Sequence, residues 1–293
     1  MNTLVLKGAP VSIDIKNKLL IDIKKLKDVD IIPFLAVILI GHDPASKIYV
    51  NNKHKTFKKM NCASKIYHLD EKIEETKLLK LINILNNDKL IHGILVQLPA
   101  PKHLNESNII NSINPMKDVD GLHPVNAGNL IQGKPSFIPC TPYGCIKILD
   151  YYNIDTKSKN IVIIGRSNLV GKPLFSLLSQ NFKVGNATVT ICHTGTKKLS
   201  HFTKQADIVI AAVGKEKLIN SKMIKNDVII IDVGINRIED DSNKGYHIVG
   251  DVDYNDVLSK TKAITPVPGG VGVMTVTMLL YNTVQAAKNN YLK

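Results

Sequence analysis

The chain has 293 residues, enough for two domains or one large α/β unit, and its 44% hydrophobic and 22% charged residues are typical of a globular protein. Its formal net charge of +13 comes from scattered lysines rather than a long basic block, which favours a solvated surface over a nucleic-acid-binding protein. Without a secretory signal, a bilayer-long apolar run or zinc-type cysteine spacing, the sequence predicts a cytoplasmic protein with no membrane, nucleic-acid or metal partner.

The first part of the chain alternates between helical and strand-like hydrophobic patterns. The spacing predicts helices over 11–27, 46–60 and 74–86, and strands over 34–40, 65–69 and 93–98. This alternation is typical of parallel βαβ units. The following stretch, Pro115–Pro142, is rich in Pro, Gly and Asn and has little periodicity. We interpret it as active-site loops that lead to a domain boundary near residue 140.

Beyond that boundary, the pattern again predicts alternating elements. Helices are expected over 143–152, 171–180 and 273–291, and strands over 160–164, 188–192, 208–212 and 228–232. Short apolar strands separated by helices or glycine turns fit an open, doubly wound sheet. The predicted fold class is therefore α/β with two domains, residues 1–140 and residues 141–293, the second with a Rossmann-like, doubly wound parallel sheet.

A candidate nucleotide site follows the first strand of the second domain. The strand runs directly into Gly165 and a helix N-terminus, where backbone N–H groups and the helix dipole favour phosphate. Ser167 and Val170 occupy the second and third glycine positions of the GxGxxG fingerprint, so an ordinary strand-to-helix turn remains an alternative. The next strand is followed by Thr194 rather than by a carboxylate, and Arg166 lies in the turn. Cationic and hydroxyl groups favour the 2′-phosphate of NADP over NAD.

Candidate catalytic residues are spread along the chain. Tyr49 and Lys53 are four residues apart and share one face of a helix, where a solvated pair is the simpler interpretation. Their position before the glycine turn excludes a short-chain dehydrogenase, in which the Tyr-x-x-x-Lys pair follows that turn. Gln97 lies near the end of an apolar strand, Asp120 lies in a tight loop, and the glycine loop Thr265–Gly272 precedes the final helix. Ligands of open α/β sheets collect at the carboxyl ends of strands.

Together these motifs identify a family. The chain resembles the bifunctional methylenetetrahydrofolate dehydrogenase/methenyltetrahydrofolate cyclohydrolases. The matching segments follow the family's order along nearly the whole chain: Ser46–Lys55, Gly93–Pro101, Lys117–Leu130, Pro139–Gly144, Gly165–Pro173, Asp232–Asn236, Gly250–Asp253 and Thr265–Thr275.

The resemblance implies a role for each candidate residue. Lys53 matches the catalytic lysine, Tyr49 its partner and Gln97 the glutamine that orients it, whereas Asp120 matches the carboxylate that holds the pterin. The implied substrate contacts are Tyr49, Asp120, Pro268, Gly269 and Gly270, and the implied cofactor contacts are Gly165, Arg166, Ser167, Thr194 and Ile235. The first domain is then the folate-binding catalytic domain and the second the NADP-binding domain, with a cleft between them. The helix over 273–291 is expected to pack back on the first domain.

The implied activity has two steps. The enzyme oxidises 5,10-methylenetetrahydrofolate with NADP and then hydrolyses the methenyl product to 10-formyltetrahydrofolate, within one-carbon metabolism and purine biosynthesis. The resemblance also implies a homodimer that acts on tetrahydrofolate derivatives. The alternative is a monofunctional NAD(P)-dependent methylenetetrahydrofolate dehydrogenase, although Lys53 and Gln97 are both present. Two residues depart from the family pattern: Val273 replaces a usual proline, and Ala100 replaces a common leucine.

Overall fold

The computed structural model describes residues 3–241 and 245–291. The chain divides into two compact units. The C-terminal unit comprises Met1–Ile13 and Thr141–Thr275, and the N-terminal unit comprises Asp14–Cys140 and Val276–Lys293. This division differs from the predicted 1–140 and 141–293 at both ends of the chain, because the first and last helices each begin in the C-terminal unit and continue in the N-terminal unit.

Nine elements precede residue 132. They are the strand β1 (Leu4–Val5), the helix α1 (Gly8–Lys27), β2 (Phe34–Ile40), α2 (Pro44–Lys59), β3 (Ala63–Leu69), α3 (Glu75–Asn87), β4 (Gly93–Val96), α4 (Glu106–Ser112) and α5 (Pro124–Ile131).

The remaining elements begin at Cys140. They are α6 (Cys140–Tyr151), β5 (Asn160–Ile164), α7 (Gly171–Ser179), β6 (Thr188–Cys192), α8 (Leu199–Thr203), β7 (Ile208–Ala211), β8 (Val228–Asp232), β9 (Asn236–Glu239), β10 (Tyr246–Val249), α9 (Tyr254–Val257), β11 (Thr261–Ile264) and α10 (Gly272–Tyr291), with short 3-10 helices at Ser221–Met223 and Leu258–Lys260. No helix within the described ranges is long and apolar enough to cross a bilayer.

A three-stranded parallel sheet forms the centre of the N-terminal unit. Its strand order is β3-β2-β4, and the apolar run of β2 lies in the middle with neighbours on both sides. Leu78, Ile82 and Leu85 form the buried face of α3 and join the sheet residues in one hydrophobic cluster. Because β4 ends at Val96, the polar Gln97 lies just beyond the carboxyl end of a buried strand.

A six-stranded parallel sheet forms the C-terminal unit. Its order is β1-β11-β8-β7-β5-β6. After β5 the chain forms β6 on one side of it and then β7 on the other side. This reversal is the topological switch point at which doubly wound sheets bind ligands. The α/β prediction with a Rossmann-like parallel sheet is therefore confirmed. An antiparallel hairpin of β9 and β10 lies outside the main sheet.

The predicted loop stretch over 115–142 is wrong in two places, because it contains the helix α5 and the first three residues of α6. The first turn of α5 is stabilised locally: His123 Nδ1 accepts the N–H of Val125, and Pro124 opens the helix. Asn126 and Leu130 are buried along one side. Two buried residues four apart are too few to produce a visible helical period, so a helix of 8 residues is hidden within a Pro- and Gly-rich sequence.

Candidate active site

A buried lysine and a glutamine form the centre of the candidate site in the N-terminal unit. Lys53 is only 8% exposed, although it lies on the polar helix α2. Its Nζ donates a hydrogen bond of 2.8 Å to Oε1 of Gln97. The Gln97 amide is itself oriented, since its Nε2 donates to the carbonyl oxygen of Leu98 at 2.8 Å. The main chain after β4 therefore presents the acceptor oxygen of Gln97 to the lysine.

The surroundings of Lys53 favour its neutral form. Burial lowers the pKa of Lys53 from its ordinary value of 10.5, and the negative charge of Asp120 opposes part of this shift. A lysine whose pKa is lowered in this way can take up and return a proton more readily than an exposed lysine. Tyr49 lies one turn earlier on the same helix, α2, and is 44% exposed, so a ligand can reach its ring.

The loop that carries Asp120 is held from both sides. Gly121 has φ +73°, and a Cβ there would lie 2.8 Å from the nitrogen of Pro139, so the turn needs glycine. The Cys140 thiol donates a hydrogen bond of 3.6 Å to the carbonyl oxygen of Val119, the residue before Asp120. Burial, together with the charge of Asp120, raises the pKa of this thiol well above its ordinary value, so Cys140 keeps its proton. It therefore remains a hydrogen-bond donor to the backbone beside Asp120.

A second carboxylate fixes the same loop. Asp118 is buried and accepts hydrogen bonds from the N–H of His123 at 2.7 Å and from Nδ2 of Asn126 at 2.8 Å. Burial raises the pKa of Asp118. The isolated parallel bridge between Asp118 and Ile94 attaches the loop to β4. Asp118, Asn126 and Cys140 were absent from the predicted site, although they lie inside or next to matched motifs.

A separate candidate site, for the cofactor, belongs to the C-terminal unit and is shaped by glycine. Gly165 has φ +122°, and a Cβ there would collide with the carbonyl oxygen of Ala212. A Cβ at Gly171 would collide with the carbonyl oxygen of Gly165. The predicted fingerprint assigns the third glycine position to Val170, but Gly171, one residue later, makes the close contact between helix and turn. The turn thus has the shape that lets backbone approach a pyrophosphate.

The predicted cofactor-contacting side chains are exposed at one edge of the sheet. Arg166 and Ser167 follow β5, Thr194 follows β6, and Ile235, which is 48% exposed, follows β8. The carboxyl ends of these parallel strands meet at the same edge. Ser167 also stabilises the start of α7, because its Oγ accepts the N–H of Val170 at 3.1 Å. An exposed cation, hydroxyl groups and a glycine-shaped turn fit a phosphorylated dinucleotide.

Two buried carboxylates organise the loops at that edge, and neither was among the predicted site residues. Asp251 is fully buried and accepts hydrogen bonds from three consecutive backbone N–H groups after β7 and from one amide, those of Val213, Gly214, Lys215 and Asn236. Asp232 accepts the backbone N–H groups of Gly234, Asp251 and Val252. Burial raises the pKa of Asp232 to about 7, although its three backbone donors oppose the shift.

The predicted glycine-loop contacts, Pro268, Gly269 and Gly270, also lie in the C-terminal unit. Pro268 and Gly269 are exposed, and Gly270 is buried. The carbonyl oxygen of Gly269 accepts the N–H of Gly8 at 2.9 Å, which ties the loop to the start of α1. Val273, at the position where the resemblance leads us to expect proline, is the second residue of α10.

Comparison with known proteins assigns the family. Residues 6–120 match the catalytic domain of tetrahydrofolate dehydrogenase/cyclohydrolase, and residues 139–291 match the NAD(P)-binding domain of the same family. The chain belongs to the tetrahydrofolate dehydrogenase/cyclohydrolase family.

Relatives and solved structures agree with this assignment. The bifunctional protein FolD of Chlorobium chlorochromatii is 50% identical over 97% of both chains. The crystal structure of the bifunctional enzyme FolD from Campylobacter jejuni is 49% identical, with a TM-score of 0.92, and covers 98% of this chain and 99% of its own. FolD of Trypanosoma brucei, solved with NADP and an inhibitor, is 31% identical, with a TM-score of 0.94 and full coverage of both chains.

These matches decide between the two enzymatic expectations. The bifunctional dehydrogenase/cyclohydrolase prediction is confirmed over the monofunctional alternative. The cofactor prediction agrees with the NAD(P)-binding domain and with the NADP complex of the T. brucei relative. The roles of individual residues stay predictions, for which the geometry above provides the physical basis.

Proposed function

We propose that this chain oxidises 5,10-methylenetetrahydrofolate with NADP and hydrolyses the methenyl product to 10-formyltetrahydrofolate, with Lys53 as the acid–base group of the second step. The observation that carries the proposal is the hydrogen bond of 2.8 Å between a buried Lys53 and Gln97. A lysine that only served solubility would be exposed, because burying its charge is costly.

The first step needs positioning more than acid–base chemistry. NADP, when bound, supplies the hydride acceptor. A folate nitrogen lone pair stabilises the cation that the substrate becomes, so no side chain has to move a proton. The task of the protein is to hold the pterin. The Asp120 carboxylate is suited to this, since it can accept two hydrogen bonds from the adjacent amino and ring N–H groups of a pterin.

The second step is where Lys53 acts. Water adds to the methenyl carbon, and one of its protons passes to the neutral Lys53 amine. The carbon–nitrogen bond to the ring nitrogen then breaks, Lys53 returns the proton to that nitrogen, and the remaining hydroxyl proton goes to solvent. Gln97 holds Nζ in place throughout, and Tyr49 lies on the same helix face, where its ring can pack against the folate. The lowered pKa of Lys53 favours the neutral amine that takes up the proton and makes the proton easier to return.

Two spectrophotometric measurements test the proposal. Adding methylenetetrahydrofolate to the wild-type chain with NADP should form NADPH, and adding methenyltetrahydrofolate should then lead to loss of its absorbance. Asp120→Ala should raise the folate KM by about 10- to 100-fold, the loss expected for a bidentate charged contact. The KM for NADP should not change. Absence of both activities in the wild type would overturn the proposed function, and an unchanged folate KM in the variant would remove Asp120 from the pterin contact.

Cofactor preference, assembly and location complete the proposal. Arg166 and Thr194, without a carboxylate after β6, favour NADP over NAD. Family membership supports a homodimer built through the cofactor domains, a cytoplasmic location and a role in supplying one-carbon units for purine biosynthesis. Light scattering on the purified protein tests the dimer, and equal binding of NAD and NADP in a titration would contradict the preference.

A further inference from the structure

The last helix places one buried amide against the loop that carries Asp120. Asn282 lies on α10, in the N-terminal unit, and is 2% exposed. Its Nδ2 donates to the carbonyl oxygen of Val119 at 2.8 Å and to that of Ile138 at 2.9 Å. The thiol sulfur of Cys140 lies 3.9 Å from the same nitrogen. Both N–H bonds of the amide are therefore used on two separate chain segments.

These two segments are the two sides of the Asp120 turn. Val119 immediately precedes Asp120. On the other side, a Cβ on Gly121 would lie 2.9 Å from the carbonyl carbon of Ile138, so this turn packs directly on the segment that Asn282 also holds. The Cys140 thiol lies at the end of that segment and donates to the Val119 carbonyl at 3.6 Å. One amide thus joins the backbone before Asp120 to the backbone behind it.

The chemistry of this position favours an amide. Two carbonyl oxygens, a buried one and a partly buried one, converge on one nitrogen, and a side chain with two N–H bonds on that atom satisfies both. A carboxylate would place oxygen against two carbonyl oxygens. A truncated side chain would remove the donor to Ile138 and leave Val119 with the weaker thiol donor of Cys140. Asn282 is also distant in sequence from the residues it holds, by 163 positions from Val119.

We propose that Asn282 is a positioning residue for folate binding, which fixes the Asp120 carboxylate by tying Val119 to Ile138 and Cys140. This inference rests on the proposed function, since it assumes that Asp120 holds the pterin. When Asn282 is removed, the turn keeps its sequence but loses its connection to α10. The carboxylate then spends less time in the geometry that a pterin requires.

A second consequence follows for Lys53. The charge of Asp120 raises the pKa of Lys53 against the lowering effect of burial. If the carboxylate moves away from Lys53, its charge raises the pKa of Lys53 less, and this pKa falls further. The limb of the cyclohydrolase pH profile that reports Lys53 should then move to lower pH. A substitution that only loosened the helix would not move this limb.

The test compares Asn282→Ala with Thr283→Ala. Thr283 is the neighbouring residue on α10 and is fully buried, but its Oγ1 donates to Leu279 of its own helix at 2.8 Å. For Asn282→Ala we expect a folate KM raised about tenfold, as for the loss of one aligned contact, with the dehydrogenase kcat changed by less than about twofold. The dissociation constant of NADP should not change, and the cyclohydrolase profile should move to lower pH. Thr283→Ala should lower Tm without changing the folate KM or the profile.

Wild-type chain and Asp120→Ala serve as references that separate the two proposals. If the wild type lacks both activities, the proposed function fails. If Asp120→Ala raises the folate KM but a folded Asn282→Ala changes neither KM nor pH profile, only the positioning role fails. An equal rise of KM in Thr283→Ala would also overturn it. If Asn282→Ala does not fold, Asn282→Ser, which keeps one hydrogen-bond donor, tests the positioning role instead. We expect an intermediate rise of the folate KM, and an unchanged KM would contradict the role.

Discussion

Gln97 in the N-terminal unit and Gly165 in the C-terminal unit occupy equivalent places, since each follows the carboxyl end of a parallel strand. Beyond that the two regions differ. After β4, the groups that matter are side chains whose functional atoms are hydrogen-bonded to each other, with Lys53 Nζ 2.8 Å from Gln97 Oε1. After β5, the important feature is the backbone, because no side chain larger than that of glycine fits at Gly165.

This difference follows from what each region has to do. Proton transfer needs a titratable atom in one place and with a shifted pKa, which burial and hydrogen bonds provide. Binding phosphates needs backbone N–H groups at close approach, which glycine and a helix N-terminus provide. Substitutions in the first region should therefore change turnover, and substitutions in the second should change cofactor affinity or the fold.

Replacing Lys53 should give the largest effect. Lys53→Met should lower cyclohydrolase kcat by about 10²- to 10⁴-fold, the usual contribution of a general acid–base group, while NADPH formation continues. Stopped assays of both activities on the same preparation measure the separation. Lys58→Met, an exposed lysine on the same helix, is the control and should keep both activities.

The same variant should not lose stability. The pKa of Lys53 is lowered in the folded state, so between that lowered pKa and the ordinary value of 10.5 the folded chain binds fewer protons than the unfolded chain, and this group's contribution to stability rises with pH. Methionine carries no charge that has to be buried. The Tm of Lys53→Met relative to wild type should therefore be more favourable at about pH 7 than at about pH 10. A full cyclohydrolase rate, or the opposite pH trend, would contradict the assigned role of the buried amine.

Replacing Gly165 should affect the fold and the cofactor together. Gly165→Ala places a Cβ against the Ala212 carbonyl at a positive φ, for which we expect a loss of about 2–5 kcal/mol in unfolding free energy. Binding of NADP should weaken in any folded fraction. Gly128→Ala is the control, because a Cβ there meets nothing within 4 Å. Wild-type stability and NADP affinity in Gly165→Ala would show that the turn is not shaped as described.

Arg166 offers a smaller and more specific effect. Arg166→Ala should weaken NADP binding about tenfold, as for loss of one charge-assisted contact, while NAD binding changes little. Fluorescence titrations with both dinucleotides measure the ratio. Lys183→Ala removes an exposed cation of the same unit that pairs with Asp150, and should leave the ratio unchanged. Equal weakening of NAD and NADP by Arg166→Ala would assign the arginine to a shared phosphate instead.

Elements with long local patterns were predictable from the sequence. The predicted bounds of β2, β5, β6 and β8 agree with the structure, because short runs rich in apolar and β-branched residues are bounded by turn residues. The helix α5 was not predicted, since its start depends on a histidine cap and its hydrophobic face is short. The close contact between Gly171 and the turn, one residue beyond the third fingerprint position, was also not predicted. Residue spacing does not show which backbone atoms come close together in the fold.

For the candidate site, motifs indicated the groups that react but not those that hold them. Lys53, Gln97 and Asp120 lie in matched segments, so the resemblance assigned them roles. Asp251 also lies in a matched segment, Gly250–Asp253, but it received no role there, and Asn282 lies outside the matched segments. Both make their contacts across long sequence separations. Only the fold brings an amide on α10 beside the Asp120 turn, or a carboxylate before α9 beside the loop after β7.

The smallest expected effect is a change of stability with pH, and its direction is opposite in the two regions. Burial raises the pKa of Asp232 to about 7, so between pH 4 and 7 the folded chain holds a proton that the unfolded chain releases. By linkage, this group's contribution to stability is fully present below the ordinary Asp pKa and falls as pH rises towards 7, opposite to the trend at Lys53.

Asp232→Asn cannot ionise, so its Tm relative to wild type should rise from pH 5 to pH 8 by about 2–8 °C. Thermal unfolding at matched ionic strength measures the difference. A flat profile for Asp232→Asn would mean that its three backbone donors outweigh burial and keep the carboxylate ionised.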